Sequence, residues 1–268
     1  SDIALPKSEA NIDSIASKYY EGYLKMYPLE ATMQGDSRYN DLLSNNISSE
    51  FISKEIEFYT DTQKKLKSID YDDLSDEQKT VYDVLDYTLK DKIERYAYHP
   101  ELMPFSQFEG LPLDFPLLGS AEGNQPFKTT KDYDNWLKRI DAFVIWMNTA
   151  EKNFREGMKQ NVVLPKKLVV KMIPQMHSEE IITEDFDKNI FYGPIKKMPK
   201  NFSAKDKEKY KILYQEAISS KIIPAYQKMG DFLEKEYLPK ARNTDGINAL
   251  PNGKNIYEYY AKSWTTTN

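Results

Sequence analysis

Apolar residues recur at every third or fourth position through most of this chain, and this spacing restricts the fold more than any other feature. The clearest stripe consists of Trp136, Ile140, Phe143, Met147, Ala150 and Phe154. Such spacing places side chains on one face of an α-helix, whereas the alternating runs that are typical of strands are rare here. Glycine is also scarce, with 10 residues among 268. The pattern therefore predicts an all-α fold built from several helices.

Local signals predict where some of these helices begin and end. Apolar stripes cover about residues 9–27 and 49–69, and a third helix is predicted from Ser75. Ser75 and Gln78 have the spacing of a capping box, in which each side chain binds the backbone N–H of the other residue. Pro100 is expected to end this third helix, because the residue before a proline disfavours helical geometry.

The longest helical pattern covers residues 203–242. A straight helix of these 40 residues would be about 60 Å long, whereas a compact chain of this size is roughly 48 Å across. We therefore expect the segment to bend, break or project. Pro224 is the natural place for a kink, because proline removes one helical hydrogen bond and clashes with the preceding turn. A last helix is predicted from about Lys254.

The segment 99–129 differs from the rest of the chain. It holds five prolines and three glycines, and its apolar residues follow no clean period. We expect a long loop that is packed against the core, since it is rich in Phe and Leu. Loops of this length are uncommon and often functional. The chain is interpreted as one all-α domain covering residues 1–268, with two lobes hinged near this loop.

The residue inventory excludes several kinds of reactive site. The absence of cysteine excludes disulfides, thiolate metal sites and a cysteine nucleophile. His99 and His177 are the only histidines, which is too few for an all-histidine metal site within one chain. Neither lies in an H-E-x-x-H pattern or a triad setting, and no phosphate-binding glycine loop is present. We therefore assign no catalytic residue, no metal ligand and no cofactor to this chain.

Charge and hydropathy limit the partners. The 37 basic and 42 acidic residues give a net charge of −5, which argues against general binding of nucleic acid. A membrane-spanning helix needs about 18 consecutive apolar residues, and no such run occurs. We therefore expect neither a nucleic-acid partner nor a membrane span.

Several short segments, taken in order along the chain, resemble a large bacterial family, the domain-of-unknown-function family numbered 885. The resembling segments are 27–32, 35–41, 115–118, 126–129, 132–139, 155–158, 163–165, 236–242 and 249–254. Members of that family resemble all-α zincin-like proteins related to metallopeptidases, with a deep channel between two helical halves. Many members are extracytoplasmic, and some are anchored by a lipid.

The resemblance implies that this chain is the N-terminal half of such a protein. The family's metal motif, a helix of the H-E-x-x-x-G-H type, belongs to the second half, and no segment here matches it. Zinc is therefore expected in a longer protein and not in this chain. The implied partners are the C-terminal half of the same protein and a peptide substrate, and the implied location is extracytoplasmic or lipid-anchored.

We predict that this half forms one wall of the substrate channel, approached by the segment 99–129. The predicted substrate-binding positions are Gln107, Gly110, Asn124 and Phe127. Two alternatives stay open at this point. The chain could be a free-standing helical module that binds peptide or carbohydrate, or a helical scaffold for protein contacts.

Overall fold

Helices make up nearly all the regular structure of residues 7–243, which are the residues that this computed structural model describes, with side chains from Asn11 onward. Within this range no β-strand forms, and the one β-type pairing is an isolated bridge between Pro165 and Arg242. The prediction of an all-α fold is confirmed. None of the described helices combines the length and apolar character needed to cross a bilayer. The helix predicted from Lys254 lies outside the described residues.

The first part of the chain forms a small helical group with its own core. Its helices are α1 (Lys7–Met26), α2 (Pro28–Met33), α3 (Ser49–Lys67) and α4 (Asp76–Glu94). The core between α1, α3 and α4 includes Ile12, Tyr59 and Leu89, all fully buried. The predicted capping box is present at the start of α4, where Ser75 Oγ accepts a hydrogen bond from Gln78 N at 3.3 Å.

A second and larger core surrounds a central helix. The helices around it are α5 (Leu111–Leu118), α6 (Thr130–Lys159), α7 (Lys166–Met176), α8 (Gly193–Lys196), α9 (Ala204–Ala217) and α10 (Ile223–Phe232). All six residues of the stripe predicted on α6 are buried. The Phe115 ring of α5 stacks on Phe143 and Trp136, with ring centroids 4.0 and 4.5 Å apart. This stacking fastens α5 to the central helix.

The segment 99–129 is not the continuous loop that was predicted, because it contains α5 and a short 3-10 helix at Pro100–Leu102. The eight residues of α5 are too few to display a helical period, and Pro116 inside the helix hides it further. Pro112 lies in the first turn, where its missing N–H costs no hydrogen bond. The expectation that this segment is packed is confirmed, since Phe105 is 3% exposed.

The predicted kink in the segment 203–242 takes the form of π-helical turns. A π-turn at Ile218–Ile222 separates α9 from α10, and a second at Leu233–Tyr237 follows α10. Pro224 and Pro239 each come two residues after such a turn. In a π-turn each backbone carbonyl accepts a hydrogen bond from the N–H five residues later, instead of four. The carbonyl that would face the proline, which has no N–H, can therefore accept from the residue after the proline. Pro224 thus lies within a continuous helical run, whereas Pro239 lies in the 3-10 helix Leu238–Lys240 with which that run ends.

Arg139 of α6 is buried at 0% exposure and has no carboxylate partner within hydrogen-bond distance among the described residues. Its guanidinium donates to Leu42 O at 3.0 Å, to Tyr39 O at 2.8 Å, to Thr32 Oγ1 at 2.8 Å and to Gln125 Oε1. Burial lowers the pKa of Arg139 to about 10. The side chain therefore holds α2, the turn after it and the end of the segment 99–129 against the central helix.

Candidate functional site

Two adjoining cavities lie where the first helical group meets the second. The larger, of about 520 Å³, is lined by the junction of α1 and α2, by α3, by the end of α4 and by Trp146 of α6. The smaller, of about 270 Å³, extends toward Leu164 and Leu168. Both cavities are lined by Met103, Pro104, Glu109, Gly110 and Asp114. Five shared residues make them neighbours across one wall, formed by the segment that precedes and begins α5.

A buried carboxylate lies at the wall of the larger cavity. Glu55 is 1% exposed, and Tyr27 donates a hydrogen bond to its Oε1 at 2.5 Å. Tyr59, one helical turn further along α3, donates to the same oxygen. Glu55 also forms a hydrogen bond with Tyr96, which follows α4. Three hydroxyl groups from three parts of the chain therefore converge on one carboxylate.

The tyrosines around Glu55 keep their hydroxyl protons and donate hydrogen bonds to its carboxylate. Burial, followed by the charge of Glu55, raises the pKa of Tyr27 and of Tyr59 far above the usual value of 10.0. Burial, followed by the hydrogen bond to Glu55, likewise raises the pKa of Tyr96. A hydroxyl with a raised pKa stays protonated and can only satisfy the carboxylate as a donor. The three hydroxyl groups thus act as hydrogen-bond donors toward the Glu55 carboxylate.

Carboxylates outnumber cations around the larger cavity. Besides Glu55, its lining includes Glu30, Glu101, Glu109 and Asp114, against the single cation Arg95. Tyr23 donates to Glu30 Oε1 at 2.8 Å.

The remaining three acids differ in their partners. His99 Nδ1 lies 3.0 Å from Glu101 Oε1, while the buried Glu101 Oε2 has no hydrogen-bond partner among the described residues. Glu109 and Asp114 have no side-chain hydrogen bond or ion pair within residues 11–243. Partial burial raises the pKa of Asp114. Glu109 and Asp114 therefore offer carboxylate oxygens to a ligand.

Gly110 is the one predicted substrate-binding residue that lines these cavities. Its φ of +138° is strongly disfavoured for any residue with a side chain. A Cβ atom at this position would lie 2.4 Å from the Cβ of Phe105. Glycine therefore allows the backbone to turn into α5 along the shared wall. Gln107 lies in the same stretch, where its carbonyl oxygen accepts a hydrogen bond from Gln175 Nε2 at 3.1 Å.

The other two predicted positions lie away from both cavities. Asn124 is exposed, and its Nδ2 is 3.1 Å from the sulfur of Met33. Phe127 is half-buried and packs edge-on against Tyr133 and Trp136, with centroid distances of 5.4 and 6.1 Å. Their role in substrate binding stays a prediction, and the structure does not bring the four positions together in one place.

Sequence reasoning missed Glu55, although a signal for it exists. Glu55 stands one turn before Tyr59, and Thr62 and Leu66 follow at helical spacing on the same buried face of α3. A carboxylate that takes the place of an apolar residue in such a stripe is expected to be buried. A buried carboxylate needs hydrogen-bond donors or an opposite charge beside it. Gln125 was missed for another reason. It adjoins the predicted Asn124 in sequence, but its burial depends on the distant Arg139.

Neither histidine lines the two cavities. His99 has a left-handed backbone with φ of +50° at the end of the 3-10 helix that follows α4. His177 follows the last residue of α7 and lies close to Asp231 and Glu234, a group of three side chains that could hold a metal ion. The cavities themselves offer carboxylates and hydroxyls, which suit a cationic ligand.

Comparisons with known proteins extend this description. The family described as "Bacterial protein of unknown function (DUF885)" matches residues 28–268. A crystal structure described as "the putative lipoprotein from Colwellia psychrerythraea" has the same fold, with a TM-score of 0.78 and 17% sequence identity. The match covers 94% of this chain and 45% of the Colwellia chain, so this chain spans less than half the length of that protein. A comparison with curated proteins gives no match.

Proposed function

This chain belongs to the bacterial family of unknown function DUF885, and on that premise we propose that it is the N-terminal helical part of a zincin-like hydrolase related to metallopeptidases. In this proposal it forms one wall of a channel that binds a peptide. The pair of adjoining cavities carries the proposal, because they provide concave, partly apolar space next to fixed charges. The Colwellia chain, more than twice as long as its matched part, supports the existence of a further half.

The zinc site that the family resemblance implies does not fit the residues of this chain. No segment has the H-E-x-x-x-G-H pattern, and neither histidine lines the cavities. We therefore assign no hydrolytic step to this chain. Its residues would bind and orient the peptide, while the chemical step would belong to the remaining part of a longer protein.

The lining of the cavities defines the kind of peptide that we expect. A volume of about 520 Å³ lies within the usual range for ligand pockets. Trp146 and Tyr96 offer aromatic surface, and Glu109 and Asp114 offer carboxylates without a protein partner. Opposite charges attract more strongly in a partly buried site than in bulk water. We expect the site to prefer a peptide with a free amino terminus or a basic side chain.

Peptide binding can be followed directly because Trp146 lines the larger cavity. The experiment measures its fluorescence during titration with short peptides, each with a free or an acetylated amino terminus. Asp114→Asn removes one charge from the shared wall, and the control Asp61→Asn removes an exposed carboxylate from α3 that lines neither cavity. We expect weaker binding, by about tenfold, after acetylation and in Asp114→Asn, and no change in Asp61→Asn. Binding that ignores both changes would contradict the proposal.

A free-standing peptide-binding module is the second candidate. One observation favours it, which is that both helical groups contribute to the larger cavity, from Tyr27 and Glu55 of the first to Trp146 of the second. The two candidates differ in what happens when further chain is present. A module should bind a peptide with the same affinity alone and within a longer protein, whereas a channel wall should bind it more tightly when the second half completes the channel.

We also propose an extracytoplasmic location. The description of the Colwellia protein as a putative lipoprotein supports it. Fractionation of bacteria that express the natural protein, with detection by an antibody against this chain, tests the proposal. Recovery with the cytoplasmic fraction alone would contradict it.

A further inference from the structure

His177, Asp231 and Glu234 form a cluster of potential metal ligands that the cavities do not use. His177 follows the end of α7, Asp231 belongs to α10, and Glu234 lies in the π-turn after α10. One ligand atom from each side chain lies within 4.8 Å of the other two. His177 Nε2 is 3.6 Å from Asp231 Oδ1, which is too long for a hydrogen bond. This nitrogen is therefore not committed to the carboxylate.

Gly230 determines where the imidazole ring lies. A Cβ atom at position 230 would be 2.5 Å from Nε2 and 2.6 Å from Cε1 of His177. Glycine inside a helix costs about 1 kcal/mol relative to alanine, and at this position it lets the ring lie directly on the backbone of α10. The ring is then held beside Asp231, the next residue along the helix. This close approach does not depend on the charges, and it holds the imidazole ring beside the carboxylates before any ion binds.

The charges of the cluster are not balanced by other side chains. Asp231 and Glu234 are three residues apart on one helical face, and neither forms an ion pair with a lysine or arginine within residues 11–243. Like charges at this spacing repel each other. A bound cation would remove that repulsion. An imidazole nitrogen with two carboxylate oxygens is a donor set that zinc accepts, whereas calcium and magnesium prefer oxygen ligands alone.

We propose that His177, Asp231 and Glu234 bind one zinc ion, with water completing the coordination. Bond lengths of 2.0–2.2 Å place the ligands of a tetrahedral zinc ion about 3.4 Å apart. The 3.6 Å separation of Nε2 and Oδ1 is already close to this value. The more exposed Glu234 side chain would close the site by a change of rotamer. The ion would join the end of α7 to α10, and the proposal is independent of peptide binding.

The test uses the untagged chain, since a histidine tag would compete for zinc. Calorimetry with zinc chloride at neutral pH is expected to give one bound ion per chain. The chain holds only two histidines, so nitrogen-15 NMR of the imidazoles resolves both. Zinc should shift the signals of His177 and leave those of His99 in place. It should also raise the melting temperature, because a ligand that binds only the folded state stabilises it.

Four variants separate this site from adventitious binding. His177→Ala and Asp231→Asn should abolish the zinc-dependent rise in melting temperature, while His99→Ala should keep it. Gly230→Ala removes no ligand, yet it should weaken binding by about 10- to 100-fold, because its methyl group displaces the ring. Circular dichroism verifies that each variant is folded, and His177→Ala, which alters a partly exposed ring, is decisive if Gly230→Ala does not fold. Zinc binding that survives His177→Ala, or an equal effect on both imidazoles, would refute the proposal.

Discussion

Arg139→Ala is the substitution that most directly tests how the segment 99–129 is held against the central helix. In the native chain the guanidinium donates to oxygen atoms of Thr32, Tyr39, Leu42 and Gln125. A fifth and longer hydrogen bond goes to Pro28 O at 3.4 Å, which also accepts from the Thr32 hydroxyl at 3.3 Å. Two of the four closer acceptors keep another hydrogen bond after truncation. Tyr39 O still accepts from Leu42 N at 3.1 Å, and the hydroxyl of Thr32 still donates to the side chain of a neighbouring asparagine at 2.8 Å. Leu42 O and Gln125 Oε1 are left without a partner.

The size of the effect follows from three contributions. Each buried acceptor without a partner costs about 1–3 kcal/mol, so two cost about 4 kcal/mol. The cavity left by the missing side chain costs about 2 kcal/mol more. In the opposite direction, burial lowers the pKa of Arg139 from its ordinary value to about 10, which corresponds to about 3 kcal/mol against the charged form. Removing the charge recovers that penalty, and the expected net loss of stability is about 3 kcal/mol.

Arg139→Met separates these contributions, because methionine fills most of the volume without a charge. The cavity cost is then absent, and the loss should fall to about 1 kcal/mol. The matched control is Arg155→Ala on the same helix, whose side chain is 45% exposed and pairs with Glu151 and Glu236. Exposed ion pairs contribute at most about 1 kcal/mol.

Urea unfolding followed by circular dichroism at 222 nm gives the free energy of unfolding and its slope for each variant. The expected order of destabilisation is Arg139→Ala first, then Arg139→Met, with Arg155→Ala close to the native chain. A loss below 1 kcal/mol in Arg139→Ala, with an unchanged slope, would refute the assigned role of the network. A larger loss in Arg139→Met than in Arg139→Ala would refute the cavity contribution, because both variants remove the same charge and leave the same acceptors without a partner.

Two further predictions concern pH and backbone geometry. Burial is the main cause that raises the pKa of Tyr19 and of Tyr210 from 10.0 to about 12, so between these values the unfolded chain loses protons that the folded chain keeps. Stability should therefore fall as the pH rises above 10. A phase of tyrosinate absorbance at 295 nm should coincide with unfolding, and complete ionisation before unfolding would contradict this. Gly110→Ala and Gly35→Ala both place a side chain at positive φ, but only the first creates a close contact. Thermal melting should show a loss above about 3 kcal/mol for Gly110→Ala and near 1 kcal/mol for Gly35→Ala, and equal losses would contradict the contact.

The helices were largely predictable because their signals are local. The stripe on α6 and the capping box at Ser75 depend on residues three or four positions apart, and both are present in the structure. The failure at α5 has the same cause, since eight residues with an internal proline carry too little of a helical period. The π-turn that precedes Pro224 was not predicted, because its form depends on packing over the whole segment.

The candidate site was much less predictable. Gly110 was predicted because it is a glycine in a segment whose apolar residues show no helical period. It lines both cavities. Glu55 was not predicted, because its partners Tyr27 and Tyr96 come from other parts of the chain and no local sequence pattern indicates these contacts. A buried charge becomes evident only when the neutral donors that satisfy it are seen around it.

The order of residues by itself therefore determined the all-α class, the approximate bounds of α1 and α3, the start of α4 and the resemblance to a family, since periodicity, capping and short motifs act within a few residues. Tertiary packing alone decided which distant side chains meet. It brought Arg139 to Gln125 and Leu42, and it brought His177 to Asp231 across 54 positions of the chain. Such contacts depend on the mutual orientation of whole helices, which is set by the shapes of both buried cores together and not by any one stretch of sequence.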